Sequence, residues 1–198
     1  MRSDRTILSR PVVALALGLA LALTALPATA STWEIDPVHS SAVFKINHFQ
    51  TANFYGMFHG IKGTLNWDPE AAEPMSIEVA VAAESVDTGN SQRDDHIKSP
   101  DFLNAKQFPA ITFKSTSVKP TGDRTFEVKG DLTMLGVTHE VTVQAEKVGQ
   151  GTNPRSNKEI VGFETRFTVD RTNYDMGFMA GPLGKDIEFI LSVEAVKQ

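Results

Sequence analysis

Residues 42–48 read Ala-Val-Phe-Lys-Ile-Asn-His, and every second residue from Ala42 to His48 belongs to the more apolar set. A two-residue period is typical of a β-strand with one buried face and one face in water. The same alternation returns along residues 57–67 and 77–83. Further strands are predicted at residues 111–118, 125–134, 138–148, 160–171 and 186–196. The sequence therefore predicts an all-β domain with eight or nine strands.

The connections between these segments contain turn residues rather than helical patterns. Examples are Asp68-Pro69, Pro-Thr-Gly-Asp at residues 120–123 and Leu-Gly-Val at residues 135–137. Short turns join antiparallel neighbours, so the simplest topology is a meander. Closure of eight such strands removes the exposed sheet edges. The prediction is an eight-stranded antiparallel barrel, and a two-sheet sandwich is the alternative.

Residues 85–109 interrupt the strand pattern. Ser91 followed by Asp94 resembles a helix capping box, and Ser99-Pro100-Asp101 places a capping residue before a proline. We therefore predict an insertion of two short helices between the third and fourth main strands.

The first 30 residues have the order of a secretory signal peptide. Arg2, Arg5 and Arg10 precede the uncharged run of residues 12–26, and Ala28-Thr29-Ala30 supplies small residues for cleavage. The apolar run is shorter than the ~20 residues of a membrane-spanning helix, which disfavours an uncleaved anchor. We predict cleavage after Ala30, a barrel domain over residues 31–198 and a periplasmic location.

Composition limits the partners of the exported chain. It has no cysteine, so it forms no disulfide and accepts no lipid on a cysteine, and we expect it not to be membrane-anchored. Loss of residues 1–30 removes three arginines and one aspartate, which changes the net charge from −5 to −7. An excess of acid disfavours nucleic acid and anionic membranes as partners.

Two groups of polar residues suggest chemistry, and each has a simpler explanation. The five histidines, at positions 39, 48, 59, 96 and 139, form no local pair with metal-ligand spacing, so no metal site is predicted unless the fold assembles one. Asp36, His39 and Ser40 resemble parts of a catalytic triad, but their spacing suits a turn whose side chains bond backbone groups. We predict no catalytic residue.

Residues 93–98 form a dense charged group on the predicted insertion. Asp94 and Lys98 are four residues apart and suit an ion pair on one helix face. In the alternative interpretation, Arg93, His96 or Lys98 faces the mouth of the barrel and meets the polar end of a ligand. The sequence leaves both interpretations open.

Phenylalanine and methionine are distributed along the strands and suit either a solid core or a ligand cavity. An eight-stranded barrel has an interior just wide enough to be filled by side chains or to hold one small ligand. Flexible methionine and flat phenylalanine suit a long apolar chain. A barrel lined in this way binds a lipid without catalytic groups.

Several motifs occur in order along nearly the whole of residues 31–198: Trp33-Glu-Ile-Asp36-Pro-Val-His39-Ser40, Phe44-Lys-Ile-Asn-His48, Gly56-Met-Phe58, and residues 84–89, 93–97, 99–102, 108–113, 130–138 and 170–171. In these motifs the sequence resembles the YceI-like family of polyisoprenoid-binding periplasmic proteins. The resemblance implies a lipocalin-like barrel with an apolar tunnel, binding of isoprenoids or other long amphiphiles, frequent homodimers and no established catalysis. It implies no cofactor beyond the bound lipid.

From the aromatic pattern, the charged group and this resemblance we predict one set of ligand-binding residues: Phe44, Ile46, His48, Phe49, Met57, Phe58, Arg93, Asp94, His96, Phe102, Phe113, Met134 and Phe178. The leading hypothesis is a carrier or sequestering protein for a polyisoprenoid or similar lipid. One alternative is an enzyme acting on a polyprenyl or lipid phosphate through Arg93, Asp94 and His96. Another is a stress-related partner of membrane proteins.

Overall fold

The computed structural model describes residues 31–68 and 75–198, so the predicted signal peptide and its cleavage site lie outside the described residues. The helical elements are α1 (Ser91–Lys98) and two 3-10 turns, Ala83–Ser85 and Arg171–Tyr174. The strands are β1 (Thr32–Ile35), β2 (Ser41–His48), β3 (Ala52–Phe58), β4 (Lys62–Asn66), β5 (Ser76–Ala82), β6 (Val86–Asp87), β7 (Ala110–Pro120), β8 (Thr125–Met134), β9 (Val137–Thr152), β10 (Glu159–Asp170) and β11 (Asp186–Lys197).

The strands close into a barrel because β11 pairs with two strands in succession. Its residues 195–197 pair with β1, and its residues 187–192 pair with β2. β1 and β2 are therefore one long strand that is interrupted at residues 36–40. β3 with β4, and β5 with β6, are interrupted in the same way. These three composite strands and β7 to β11 form a closed antiparallel barrel of eight strands, which confirms the predicted barrel over the sandwich.

The interruptions change which side chains face the interior. Phe58 at the end of β3 is buried, whereas its neighbours Met57 and His59 are not. Before the irregular residues 59–61 the buried side chains have even residue numbers, and after them they have odd residue numbers. Ile61 and Leu65 are the buried residues that follow Phe58. Gly60 has a φ of +66°, a left-handed conformation that glycine adopts without strain. The predicted alternation from Met57 to Trp67 is therefore wrong in its first part.

One end of the barrel is closed by aromatic side chains, which we call the floor. Trp33 and Trp67 meet edge to face with ring centroids 5.8 Å apart, and Trp33 Nε1 donates a hydrogen bond to the Trp67 carbonyl at 3.0 Å. The Phe163 ring lies 5.7 Å from Trp67 and 6.0 Å from Phe126. Such pairs combine a large buried apolar area with a preferred edge-to-face geometry.

The insertion contains one α-helix rather than the predicted two. Asn90, and not Ser91, caps α1 by accepting a hydrogen bond from the Arg93 N–H at 3.0 Å. The second segment forms turns, because its N–H groups bond back to α1: those of Leu103 and Ala105 donate to the carbonyls of residues 97 and 98, each at 2.9 Å. Among the described residues, the structure contains no helix with the length and apolar character needed to cross a membrane.

Candidate ligand-binding cavity

A cavity of about 540 Å³ opens at the end of the barrel opposite the floor, beneath α1 and the 175–185 loop. We call this opening the mouth. Strands β2, β3, β7, β8 and β11, α1, the 3-10 turn Arg171–Tyr174 and three loops supply its lining: Phe44, Ile46, His48, Phe49, Ala52, Asn53, Phe54, Phe58, Arg93, His96, Ile97, Phe102, Leu103, Ile111, Met134, Arg171, Met176, Met179, Leu183, Ile187 and Phe189. Apolar side chains thus predominate, and the polar groups come mainly from the rim.

The mouth cavity adjoins a second cavity of about 130 Å³ inside the barrel, because Ile111 and Phe189 line both. The inner cavity has aliphatic and phenylalanine walls from nearly every strand, with Leu65, Val128 and Phe163 towards the floor. Those same residues also border a small void beside Trp67. The two adjoining cavities lie between the mouth and the aromatic floor, and we call them together the tunnel.

Most of the predicted ligand-binding residues lie along this tunnel. Nine of them line the mouth cavity: Phe44, Ile46, His48, Phe49, Phe58, Arg93, His96, Phe102 and Met134. Phe113 lines the inner cavity, and Phe178 stands on the rim against His96 and Phe102. Their contact with a ligand remains a prediction.

Met57 and Asp94 do not line the tunnel as predicted. Met57 lies next to the inward-facing Phe58, so strand alternation turns it to the outer face. The Asp94 carboxylate accepts hydrogen bonds from the Thr88 N–H at 2.9 Å and the Thr88 hydroxyl at 2.5 Å. Asp94 therefore fixes the start of α1, and the predicted pairing with Lys98 gives way to these bonds.

Arg93 also contacts Thr88, and its guanidinium covers an aromatic ring of the mouth. Its Nε donates to the Thr88 hydroxyl at 2.8 Å and its Nη2 to the Thr88 carbonyl at 2.7 Å. The guanidinium carbon lies 4.2 Å from the centroid of the Phe54 ring, in cation–π geometry. Arg93 therefore joins the insertion to β3 and presents a positive charge at the mouth.

His96 is part of an aromatic cluster on the rim. Its Nε2 lies 2.9 Å from an Asp101 carboxylate oxygen, and its ring packs edge to face on Phe102 and Phe178, at 5.1 and 5.7 Å. Phe102 and Phe178 are 5.4 Å apart. This cluster joins α1 to the 175–185 loop across the mouth.

Arg171 has a central role that the sequence does not predict, because it is completely buried and lines the mouth cavity. Its guanidinium donates to three carbonyls of one loop: Met176 at 2.5 Å, Phe178 at 2.9 Å and Gly184 at 2.9 Å. Burial lowers the pKa of the Arg171 guanidinium, while the adjacent Asp170 opposes this change. The Asp170-Arg171 motif was a usable signal, although nothing in the sequence indicated which carbonyls it binds.

An ion pair between Lys185 and Asp170 joins the two ends of the loop between β10 and β11. Lys185 Nζ lies 2.7 Å from an Asp170 carboxylate oxygen, and Thr172 donates to the other oxygen through its N–H and hydroxyl. Lys185 first, and then Thr172, lower the pKa of Asp170 to about 2, and the Asp170 carboxylate in turn raises the pKa of Lys185. The loop between β10 and β11 is thus fixed at both its base and its centre.

The Asp36, His39 and Ser40 group lies away from the tunnel and has the turn role that we favoured. His39 Nδ1 is 2.7 Å from an Asp36 carboxylate oxygen, which lowers the pKa of Asp36 and raises that of His39. The Ser40 hydroxyl accepts a hydrogen bond from the Glu194 N–H at 3.0 Å. The fold also brings a Glu194 carboxylate oxygen within 3.9 Å of His39 Nδ1, a grouping of ligand-type atoms that sequence spacing did not reveal.

The lining of the tunnel and the mouth determines which ligands the site can bind. The tunnel offers apolar surface to an extended chain, and the mouth offers arginine, histidine and amide groups to a polar end. A few convergent polar groups beside a large apolar cavity are typical of a small-molecule binding site.

Comparison with known proteins identifies the family. The family model described as YceI-like domain matches residues 33–195. The chain belongs to the YceI-like family. Among curated relatives, this YceI-like chain is 36% identical over 193 residues to a UPF0312 protein of Pseudomonas aeruginosa, covering 96% of this chain and 100% of the relative.

Solved structures share the YceI-like barrel. Burkholderia cenocepacia BcnA superposes with a TM-score of 0.73 at 21% identity, covering 81% of this chain and 98% of BcnA. A polyisoprenoid binding domain from Saccharophagus degradans, described as implicated in plant cell wall breakdown, has a TM-score of 0.67 at 10% identity, covering 85% of this chain and 99% of that domain. At these identities the likeness concerns the fold.

Proposed function

We propose that this YceI-like protein is a periplasmic carrier or sequestering protein for a polyisoprenoid or similar long-chain amphiphile. The observation that carries the proposal is the pair of adjoining apolar cavities between the mouth and the Trp33–Trp67 floor. The Saccharophagus degradans protein of the same fold is itself described as a polyisoprenoid binding domain, which supports this ligand class.

The lining of the tunnel favours one orientation of the bound ligand. The apolar chain enters first, because the inner cavity is walled by aliphatic and phenylalanine side chains. The polar end stays at the mouth beside Arg93, His48 and His96. Each buried methylene contributes about 0.8 kcal/mol, so a dozen give roughly 10 kcal/mol before the costs of association. Hydrophobic burial is therefore the main favourable contribution to binding in this proposal, and binding needs no catalytic group.

The proposed location follows from the signal-like residues 1–30 and the absence of cysteine. A barrel without a lipid anchor diffuses between membranes, which suits a carrier of water-insoluble cargo. Homodimer formation is part of the proposal and comes from the family resemblance.

The contacts of the charged insertion favour binding over catalysis. Arg93 and Asp94 both bond to Thr88, and His96 bonds to Asp101. In these contacts the charged groups hold α1, Thr88 and the rim together. The alternative of an enzyme that acts on a lipid phosphate therefore receives less support from the geometry.

Prenols of increasing length test the proposal. We expect affinity to rise by at least about tenfold per isoprene unit from geraniol to geranylgeraniol, because each unit buries further methylene-sized groups in the tunnel. Affinity should then level off once the chain reaches the floor. Displacement of an environment-sensitive dye measures this series. Equal affinity for all the prenols would contradict a tunnel that binds the chain.

A further inference from the structure

Three of the six large apolar side chains that are exposed in the described part of the chain lie together at the mouth. Phe49, Phe178 and Met179 have 49%, 39% and 40% of their surface exposed. Phe49 and Met179 line the mouth cavity, and Phe178 belongs to the aromatic cluster on its rim. The other three, Val38, Tyr55 and Val148, are absent from the cavity lining. The three mouth residues, which we call the apolar rim, are continuous with the tunnel.

The apolar rim is carried by two short segments that have no charged residue, one around the β2–β3 turn and one within the 175–185 loop. Residues 46–54 read Ile-Asn-His-Phe-Gln-Thr-Ala-Asn-Phe, and residues 176–183 read Met-Gly-Phe-Met-Ala-Gly-Pro-Leu. Charged residues make up 22% of the chain, so segments of this combined length would ordinarily contain several. The part of the mouth that carries the apolar rim is therefore uncharged, and the positive charge at the mouth comes from Arg93 on α1, in a protein whose net charge is negative.

The backbone holds the apolar rim in place at an energetic cost. Phe49 and Met179 have φ values of 52° and 49°, a left-handed conformation that is rare for large side chains and costs about 1–3 kcal/mol each. The Phe49 N–H donates to the Pro182 carbonyl at 2.8 Å, which joins the two loops. Arg171 fixes the second loop from below. Strain combined with exposure indicates a role outside the folding of the barrel.

We propose that the apolar rim docks onto the surface of a zwitterionic lipid bilayer, with Phe49, Phe178 and Met179 inserted among the acyl chains. This inference rests on the proposed function, because a tunnel for long amphiphiles exchanges cargo most directly where its mouth faces the membrane interior. Amphipathic surfaces bind membranes through buried apolar area together with attraction to anionic lipids. The uncharged rim segments contribute buried apolar area, but a chain of negative net charge is not attracted to anionic lipids. A zwitterionic bilayer is therefore the surface that suits this rim.

A charge placed on the rim loop tests this docking without altering a cavity-lining residue. A Cβ at Gly181 or Gly177 meets no atom within 4 Å, and neither glycine has a left-handed φ, so glutamate fits at both positions. Gly149 is equally open and lies in β9, in the half that ends at the floor, and it supplies a matched control. Flotation with phosphatidylcholine vesicles, using protein freed of lipid, measures the docking. Circular dichroism checks that each variant is folded.

We expect the unmodified protein to float with these vesicles and Gly181→Glu and Gly177→Glu to bind about fivefold more weakly, because insertion must carry a charge into the interface. Gly149→Glu should bind normally. Failure of the unmodified protein to float, or equal binding by all four proteins, would overturn the docking. We expect Gly181→Glu to bind prenols normally in solution without vesicles, because Gly181 does not line the tunnel. Normal prenol binding with weak vesicle binding therefore indicates loss of docking, whereas loss of prenol binding in the unmodified protein indicates failure of the proposed function.

Discussion

Replacing Arg171 by methionine is expected to lower the free energy of unfolding by about 4 kcal/mol, because several charge-assisted hydrogen bonds are lost and buried carbonyls are left unpaired. The guanidinium bonds the carbonyls of Met176, Phe178 and Gly184 and is completely buried. Methionine keeps much of the apolar volume but donates no hydrogen bond. Urea denaturation followed by circular dichroism gives the difference.

Arg166→Met is the matched control. Arg166 has an exposed side chain and contacts Glu188 at 3.3 Å, and exposed ion pairs of this kind contribute about 0–1 kcal/mol. We also expect Arg171→Lys to recover only part of the stability, since one ammonium group cannot reach three divergent carbonyls. A loss below about 1 kcal/mol in Arg171→Met would show that the 175–185 loop does not depend on this residue.

Filling the inner cavity should have the largest effect on binding. Val79 and Val193 both line this cavity of about 130 Å³. The double variant Val79→Phe, Val193→Phe places two additional phenyl rings there and excludes several methylenes of a bound chain. At about 0.8 kcal/mol per methylene, we expect affinity for geranylgeraniol to fall by at least about a hundredfold. Dye displacement measures the loss.

The response of a short ligand separates a filled tunnel from a damaged barrel. Geraniol occupies less of the tunnel, so its affinity should change much less in the filled variant. Val148→Phe is the control for the substitution itself, because Val148 is 51% exposed. Overpacking typically costs about 1–3 kcal/mol of stability, which a thermal melt reveals. Unchanged affinity for geranylgeraniol in a folded double variant would place the chain outside the inner cavity.

Much of the barrel was predictable because strand alternation is a local property. Ala42 and Phe44 are buried and Val43 and Lys45 are not, as the alternation predicts, and the turn residues between strands correctly indicate antiparallel neighbours. The alternation failed at residues 59–61, where the irregular segment around Gly60 shifts the inward set by one residue. A single inserted or omitted residue moves every later side chain of the strand to the opposite face of the sheet. The sequence pattern alone does not reveal such a shift.

The site was only partly predictable because its polar contacts depend on distant backbone groups. Phe44 and Phe102 were recognisable as lining residues from their apolar character. Arg171 was recognisable only as part of the motif at residues 170–171. Its carbonyl partners belong to a later loop, and nothing in the sequence indicates them. The predicted second helix failed for a related reason, since tertiary bonds to α1 satisfy the backbone after Ser99. Local propensity is readily overridden by such contacts.

Native mass spectrometry of the protein purified from its native cells without detergent shows whether the tunnel carries a lipid. We expect a protein population carrying one long-chain lipid, released on activation and identified by its mass, and a large loss of that population in the Val79→Phe, Val193→Phe variant. Unliganded protein alone, or the same adduct in the unmodified and filled proteins, would contradict a tunnel that carries a lipid.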